Sequence, residues 1–188
     1  MEKKDLKPAG VFKYFEEICQ VPRPSKKEEK MIAYLKAFGA KHNLETKVDE
    51  AGNVLIKKTA TPGKENLQTV VLQSHIDMVC EKNNDVQHDF LTDPIETEID
   101  GEWLKAKGTT LGADNGIGVA TELAILADDS IEHGPLECLF TVDEETGLTG
   151  AFALQEGFMS GDILLNLDSE DEGEIFIGCA GGIDSVAE

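Results

Sequence analysis

Three apolar, strand-like runs in this 188-residue chain each end in acid. Val70-Val71-Leu72 leads into Ser74-His75-Ile76-Asp77, Leu136 to Val142 leads into Asp143-Glu144-Glu145-Thr146-Gly147, and Ile163-Leu164-Leu165-Asn166-Leu167 leads into Asp168-Ser169. A continuous apolar run, rather than an alternating one, marks a strand buried on both faces, which requires helices to cover the sheet. Helical patterns separate these runs, and together they predict a three-layer α/β domain around a mixed, mainly parallel central sheet. In such sheets ligands bind beyond the carboxyl ends of the strands, where these acids fall.

The helical segments have their own periodicity. Val11, Phe12, Phe15, Ile18 and Cys19 predict an amphipathic helix over 8–20, ended by Val21-Pro22-Arg23-Pro24. Ser25 with Glu28 reads as a capping box, and Met31, Ile32, Leu35 and Phe38 predict a second helix over 26–42. Val119, Ala120, Leu123 and Leu126 share a face of a helix over 118–127, and a short helix is expected around 150–155. Strands are predicted at 46–48, 54–57, 70–72 with its continuation, 103–104, 136–142, 162–167 and 174–178, with a polar loop over 82–94.

Charge narrows the function classes. With 17 basic and 37 acidic residues, a formal charge of -20, the chain repels phosphate backbones and anionic lipid headgroups. Nucleic acid and membrane surfaces are therefore not expected partners, whereas metal cations and other proteins are. Cys19, Cys80, Cys138 and Cys179 form no Cys-x-x-Cys pair and read as free thiols. The amino terminus lacks a secretion signal's apolar core, and a reducing cytoplasm fits best.

One histidine with several convergent acids suits zinc or a similar first-row ion better than a thiolate site would. His75 and Asp77 are two apart, so on a strand they face the same way, and the carboxylate can fix the tautomer of a ligating imidazole. Asp114 lies in Gly112-Ala113-Asp114-Asn115-Gly116, a glycine-rich entry to a helix. The loop completes neither phosphate-binding glycine motif, and an acid at its centre repels phosphate. Glu144 and Glu145 can both reach one pocket only if the strand has ended, and such a pair can divide metal binding from proton transfer. The run from Asp168 to Glu174 imitates a calcium loop but has Cys179 at the twelfth position, so Asp168 alone is retained as a ligand.

These motifs, with Val21-Pro22-Arg23-Pro24-Ser25, make the chain resemble the co-catalytic dinuclear zinc peptidases of the aminoacylase and carboxypeptidase type. Within that family it is most similar to the bacterial cytosolic aminoacyl-histidine dipeptidases. The resemblance implies that His75 and Asp168 bind one zinc, Glu145 helps bind a second, and Asp114 bridges them. Manganese or cobalt are alternative ions. It further implies that Asp77 orients His75, that Glu144 is the general base acting on a dipeptide substrate, and that the Asp114-Asn115 peptide is cis.

The family pattern also has a second-metal histidine near the carboxyl terminus of a longer chain, which is not found here. His42, His88 and His133 are the remaining histidines, of which only His88 lies in a loop after the first metal motif. The expectation is that residues 1–188 are the amino-terminal part of a catalytic domain, with the sheet incomplete at its carboxyl end. A lid domain, which in the family forms the homodimer contact, and a final catalytic segment would lie elsewhere. A chain of this extent is expected to lack peptidase activity and to expose a sheet edge. Two alternatives remain open: a non-catalytic acidic module binding metal or a basic partner, and a deacetylase or aminoacylase of the same family.

Overall fold

The computed structural model describes residues 3–169, 173–178 and 181. After a short 3-10 turn the elements run α1 (Ala9–Cys19), α2 (Glu29–Lys41), β1 (Glu45–Val48), β2 (Val54–Lys58), β3 (Val70–His75), β4 (Thr97–Asp100), β5 (Trp103–Ala106), α3 (Ala113–Ala127), β6 (Leu136–Thr141), α4 (Thr149–Ala153) and β7 (Ile163–Asn166). The main sheet has the order β1-β2-β6-β3-β7. Its β1–β2 and β2–β6 pairs are antiparallel, and its β6–β3 and β3–β7 pairs are parallel. It is thus a mixed α/β sheet whose parallel half carries the three acid-ended strands.

Strand alternation sorts the apolar side chains to two faces. Val54, Ile56, Leu72, Cys138 and Phe140 join one large core with Phe15 and Ile18 of α1, Met31 and Leu35 of α2, and Val119 and Leu123 of α3. Leu55, Val71 and Leu139 point the other way, where Leu154, Phe158 and Met159 pack on them. At roughly 1.5–3 kcal/mol per fully buried large apolar side chain, the helix-covered core is the main source of stability. The β7 edge differs: Ile163, Leu164 and Leu165 are 40–49% exposed.

Three sequence expectations need correction. The second helix starts at Glu29, not at 26, and Ser25 caps nothing, because its hydroxyl donates to Asp77 Oδ2 at 2.7 Å. An ionised acceptor outcompetes a backbone-capping arrangement. Lys26 takes a left-handed φ of 65°, and Glu28 Oε1 accepts the Lys26 and Asp143 N–H groups, both at 2.9 Å. Residues 174–178 form no strand; they are exposed, with no neighbouring strand to pair with among the described residues. The strand expected at Trp103 is present as half of a hairpin with β4, closed by Gly101-Glu102 with Gly101 at φ 63°. Cys19, Cys80 and Cys138 are free thiols, and Cys179 lies outside the described residues.

Candidate active site

Parallel register brings the site together. His75 at the end of β3 pairs with Thr141 at the end of β6, so the Asp143-Glu144-Glu145 turn leaves the sheet beside the imidazole. Gln73 pairs with Asn166 of β7, and Leu167 N–H donates to the Gln73 carbonyl at 2.8 Å, which puts Asp168 on the other flank. Asp114 arrives from above at the start of α3, which packs on β3. Asp114 and Asn115 have non-helical backbone angles, and the peptide between them is cis.

His75 is 1% exposed and is the hub. Its Nε2 lies 3.0 Å from Asp114 Oδ1, 3.8 Å from Asp168 Oδ1 and 3.9 Å from Glu144 Oε2. Its Nδ1 is 3.2 Å from Asp77 Oδ1. Asp77, fully buried, also accepts N–H from Glu144 at 3.0 Å and from Glu145 at 3.2 Å. One carboxylate therefore fixes both the imidazole and the turn carrying the two glutamates. With Nδ1 committed to Asp77, Nε2 is the nitrogen free to ligate.

Charge behaves differently in the two layers. Burial pushes the Asp77 carboxyl up, but hydrogen bonds from His75, Glu144, Ser25 and Glu145 outweigh it and bring the pKa down to about 2. Burial likewise opposes protonation of His75, yet its hydrogen bonds to Asp77 and Asp114 and the nearby carboxylate charges raise it to about 9. Glu144, Glu145 and Asp168 are all raised, first by burial and then by mutual repulsion among the acids of the site.

The donor set fits a divalent ion. In His75–Asp114–Asp168 and in His75–Glu144–Glu145, one potential ligand atom from each residue lies within 4.8 Å of the others. Imidazole nitrogen with carboxylate oxygens is the ligand mixture that zinc takes. A third acidic group, Glu28, Asp77 and Asp143, is equally close but buried. Its oxygens already accept backbone N–H groups, the Ser25 hydroxyl, and the Thr146 and Thr149 hydroxyls, both at 2.6 Å, so it is a structural network. The other histidines stay away: His42 lies against Phe38, His88 against Phe90, and His133 Nδ1 contacts the Gly134 carbonyl.

The structure adds supporting residues that sequence reasoning assigned elsewhere or passed over. Ser25 holds Asp77. Asn115 Nδ2 donates to Asp168 Oδ1 at 2.8 Å and to the Leu167 carbonyl at 2.9 Å, aiming that acid inward. Glu28 accepts from the Asp143 N–H and so sets the turn before Glu144. Only the adjacency of Asn115 to Asp114 hinted at any of these.

Known proteins resemble this chain. Residues 71–182 match the model of peptidase family M20/M25/M40. The cytosol non-specific dipeptidase of Escherichia coli strain K12 is 54% identical over 183 residues, covering 97% of this chain and 38% of the relative. The crystal structure of aminoacylhistidine dipeptidase from Vibrio alginolyticus superposes with a TM-score of 0.92 at 55% identity, covering 95% of this chain and 36% of that one. Aminopeptidase PepT from Bacillus cereus ATCC 10987 gives a TM-score of 0.73 at 26% identity, covering 86% and 43% respectively. The chain thus spans less than two fifths of the length of the Escherichia coli and Vibrio alginolyticus relatives. Since the family model covers the strand ends, the turn and the helix entry that build this site, the chain belongs to peptidase family M20/M25/M40.

Proposed function

We propose that this chain supplies most of the metal-binding residues and the proton-transfer group of a cytoplasmic dipeptidase active on aminoacyl-histidine and other dipeptides. The observation that carries the reading is the convergence of the Asp114, Glu144 and Asp168 carboxylates on His75 Nε2, at 3.0–3.9 Å. The 54% identity to a cytosol non-specific dipeptidase supports the substrate class over a deacetylase or aminoacylase. A diffuse acidic module would have no need of a buried, oriented imidazole.

In this reading His75 and Asp168 hold one zinc, Asp114 bridges, and Glu145 contributes to a second, with manganese or cobalt as substitutes. Paired divalent ions, when bound, lower the pKa of a shared water and polarise the substrate carbonyl. Asp77 keeps the His75 Nδ1 proton in place, so Nε2 remains the ligating atom. Glu144 lies outside the His75–Asp114–Asp168 group, though it shares the His75–Glu144–Glu145 group, and its side chain is 30% exposed. It accepts the proton from the attacking water and returns it to the leaving amine, a task suited to an acid whose pKa burial raises above the ordinary glutamate value. Residues 1–188 alone lack turnover, and the longer protein dimerises through a lid domain outside them.

Replacing Glu144 separates these roles. In the full-length protein Glu144→Gln keeps its bound zinc and loses about 10²- to 10⁴-fold in kcat on a histidine-containing dipeptide, the usual contribution of a positioned general base. Wild-type kcat in that variant, or turnover by residues 1–188 with added zinc, would contradict the assignment.

A further inference from the structure

We propose that Arg23 is the positioning residue that joins the glycine loop carrying Asp114 to the strand end carrying His75, so that the two groups form one metal-binding unit. The proposal rests on the metal-site reading above. Arg23 is 2% exposed. Its Nη1 donates to the Ile76 and Asp77 carbonyls, both at 3.1 Å, and its Nη2 donates to the Gly112 carbonyl at 2.5 Å. Its own carbonyl accepts the Met78 N–H at 3.2 Å, and Pro24 bridges to Met78. One side chain thus grips the two residues after His75 and the residue two before Asp114.

All three acceptors are main-chain carbonyls, not carboxylates. A buried guanidinium is costly to desolvate, and three neutral acceptors repay that cost less well than a salt bridge does. Burial lowers the guanidinium pKa, while Cys19, Asp77, Cys80 and Asp114 push it back up.

The glycines of the loop fit this role. Gly112 has φ 68°, and a Cβ there would stand 2.5 Å from Arg23 Nη2 and 2.7 Å from Met78 Sδ. A Cβ at Gly116 would stand 2.7 Å from the same Nη2. The Gly112-Ala113-Asp114-Asn115-Gly116 loop is therefore open to a guanidinium on both sides of its acid. Arginine's planar fork can bond two loops at once, whereas a lysine is a single point of charge on a flexible stem.

The test is zinc affinity by chelator competition on the full-length protein, comparing wild type, Arg23→Lys, Arg23→Gln and a core variant, Leu35→Ala, remote from the loop. Affinity is expressed per folded molecule from parallel melting curves. The expected result is a tenfold or greater loss for both Arg23 variants, with Leu35→Ala within twofold of wild type despite its lower melting temperature. Arg23→Lys within twofold of wild type would overturn the proposal, while a wild type that takes up no zinc would sink the metal-site reading instead. Wild-type protein offers a second readout should the variants not fold. Its Arg23 Nη–H signals, seen by nitrogen-15 NMR, should be resolved, slow to exchange and shifted by zinc; fast-exchanging signals that zinc does not move count against the proposal.

Discussion

The floor of the site and its rim are made of the same residue type and behave in opposite ways. Asp77 on the floor is fully buried, accepts from four donors and is held near pKa 2. On the rim, Glu144, Glu145 and Asp168 are partly exposed and have raised pKa values, and the side chain of Asp114 is 63% exposed. The floor has spent its lone pairs on fixing geometry, whereas the rim keeps them free. A preorganised floor under an electrostatically frustrated rim is what a cation-binding site requires before the cation arrives.

Breaking the floor should cost most. Asp77→Ala strands the His75, Ser25, Glu144 and Glu145 donors in a buried space, and a loss of roughly 2–5 kcal/mol is expected in denaturant unfolding of the metal-free protein. A loss under about 0.5 kcal/mol would show that the four contacts hold nothing together. The same contacts give an acid limb: with its pKa lowered from 3.8, Asp77 adds stability that is complete above that value and disappears as pH falls through about 2.

A second floor residue has the opposite sign. Glu122 of α3 is fully buried, accepts from Ser74 Oγ at 2.6 Å and is pushed up to about 8 by burial. A raised folded-state pKa means that its contribution is complete below the unfolded value of 4.5 and falls away as pH rises through about 8. Stability of the metal-free protein should therefore decline across this window, and the decline should flatten in Glu122→Gln. An equal decline in the variant would assign it to other groups, His75 foremost.

The rim should give the smallest effect and the reverse direction. Glu145→Gln removes one of the crowded acids, so the metal-free protein should be unchanged or more stable by up to about 1 kcal/mol, as read from unfolding curves. A clear loss of stability would mean that this glutamate is structural, and the contrast between floor and rim would fail.

The rim was far more legible in the sequence than the floor. Acids directly following the apolar runs 136–142 and 162–167 declare themselves because strand direction and burial are written in side-chain pattern, and parallel pairing then gathers the ends. Asp77 was readable for the same reason, being two residues from His75. Ser25 was not, since Ser25 and Glu28 match a local helix-capping motif, and only the long-range approach of Asp77 diverts the hydroxyl. Arg23 looked like part of a helix-ending Pro-Arg-Pro segment, because its acceptors are carbonyls 53, 54 and 89 residues away that no periodicity marks. Strand 174–178 failed differently: its apolar pattern suits a strand, but among the described residues no partner lies beside it.

Zinc titration of the full-length protein, with proton release followed in the same experiment, tests the central claim most directly. Wild type should take up zinc and release protons as the ion displaces the one shared by His75 and its acids, while His75→Ala and Asp114→Asn should each lose tight uptake. Uptake that is unchanged in both variants would mean that the convergence at His75 Nε2 is not a metal site.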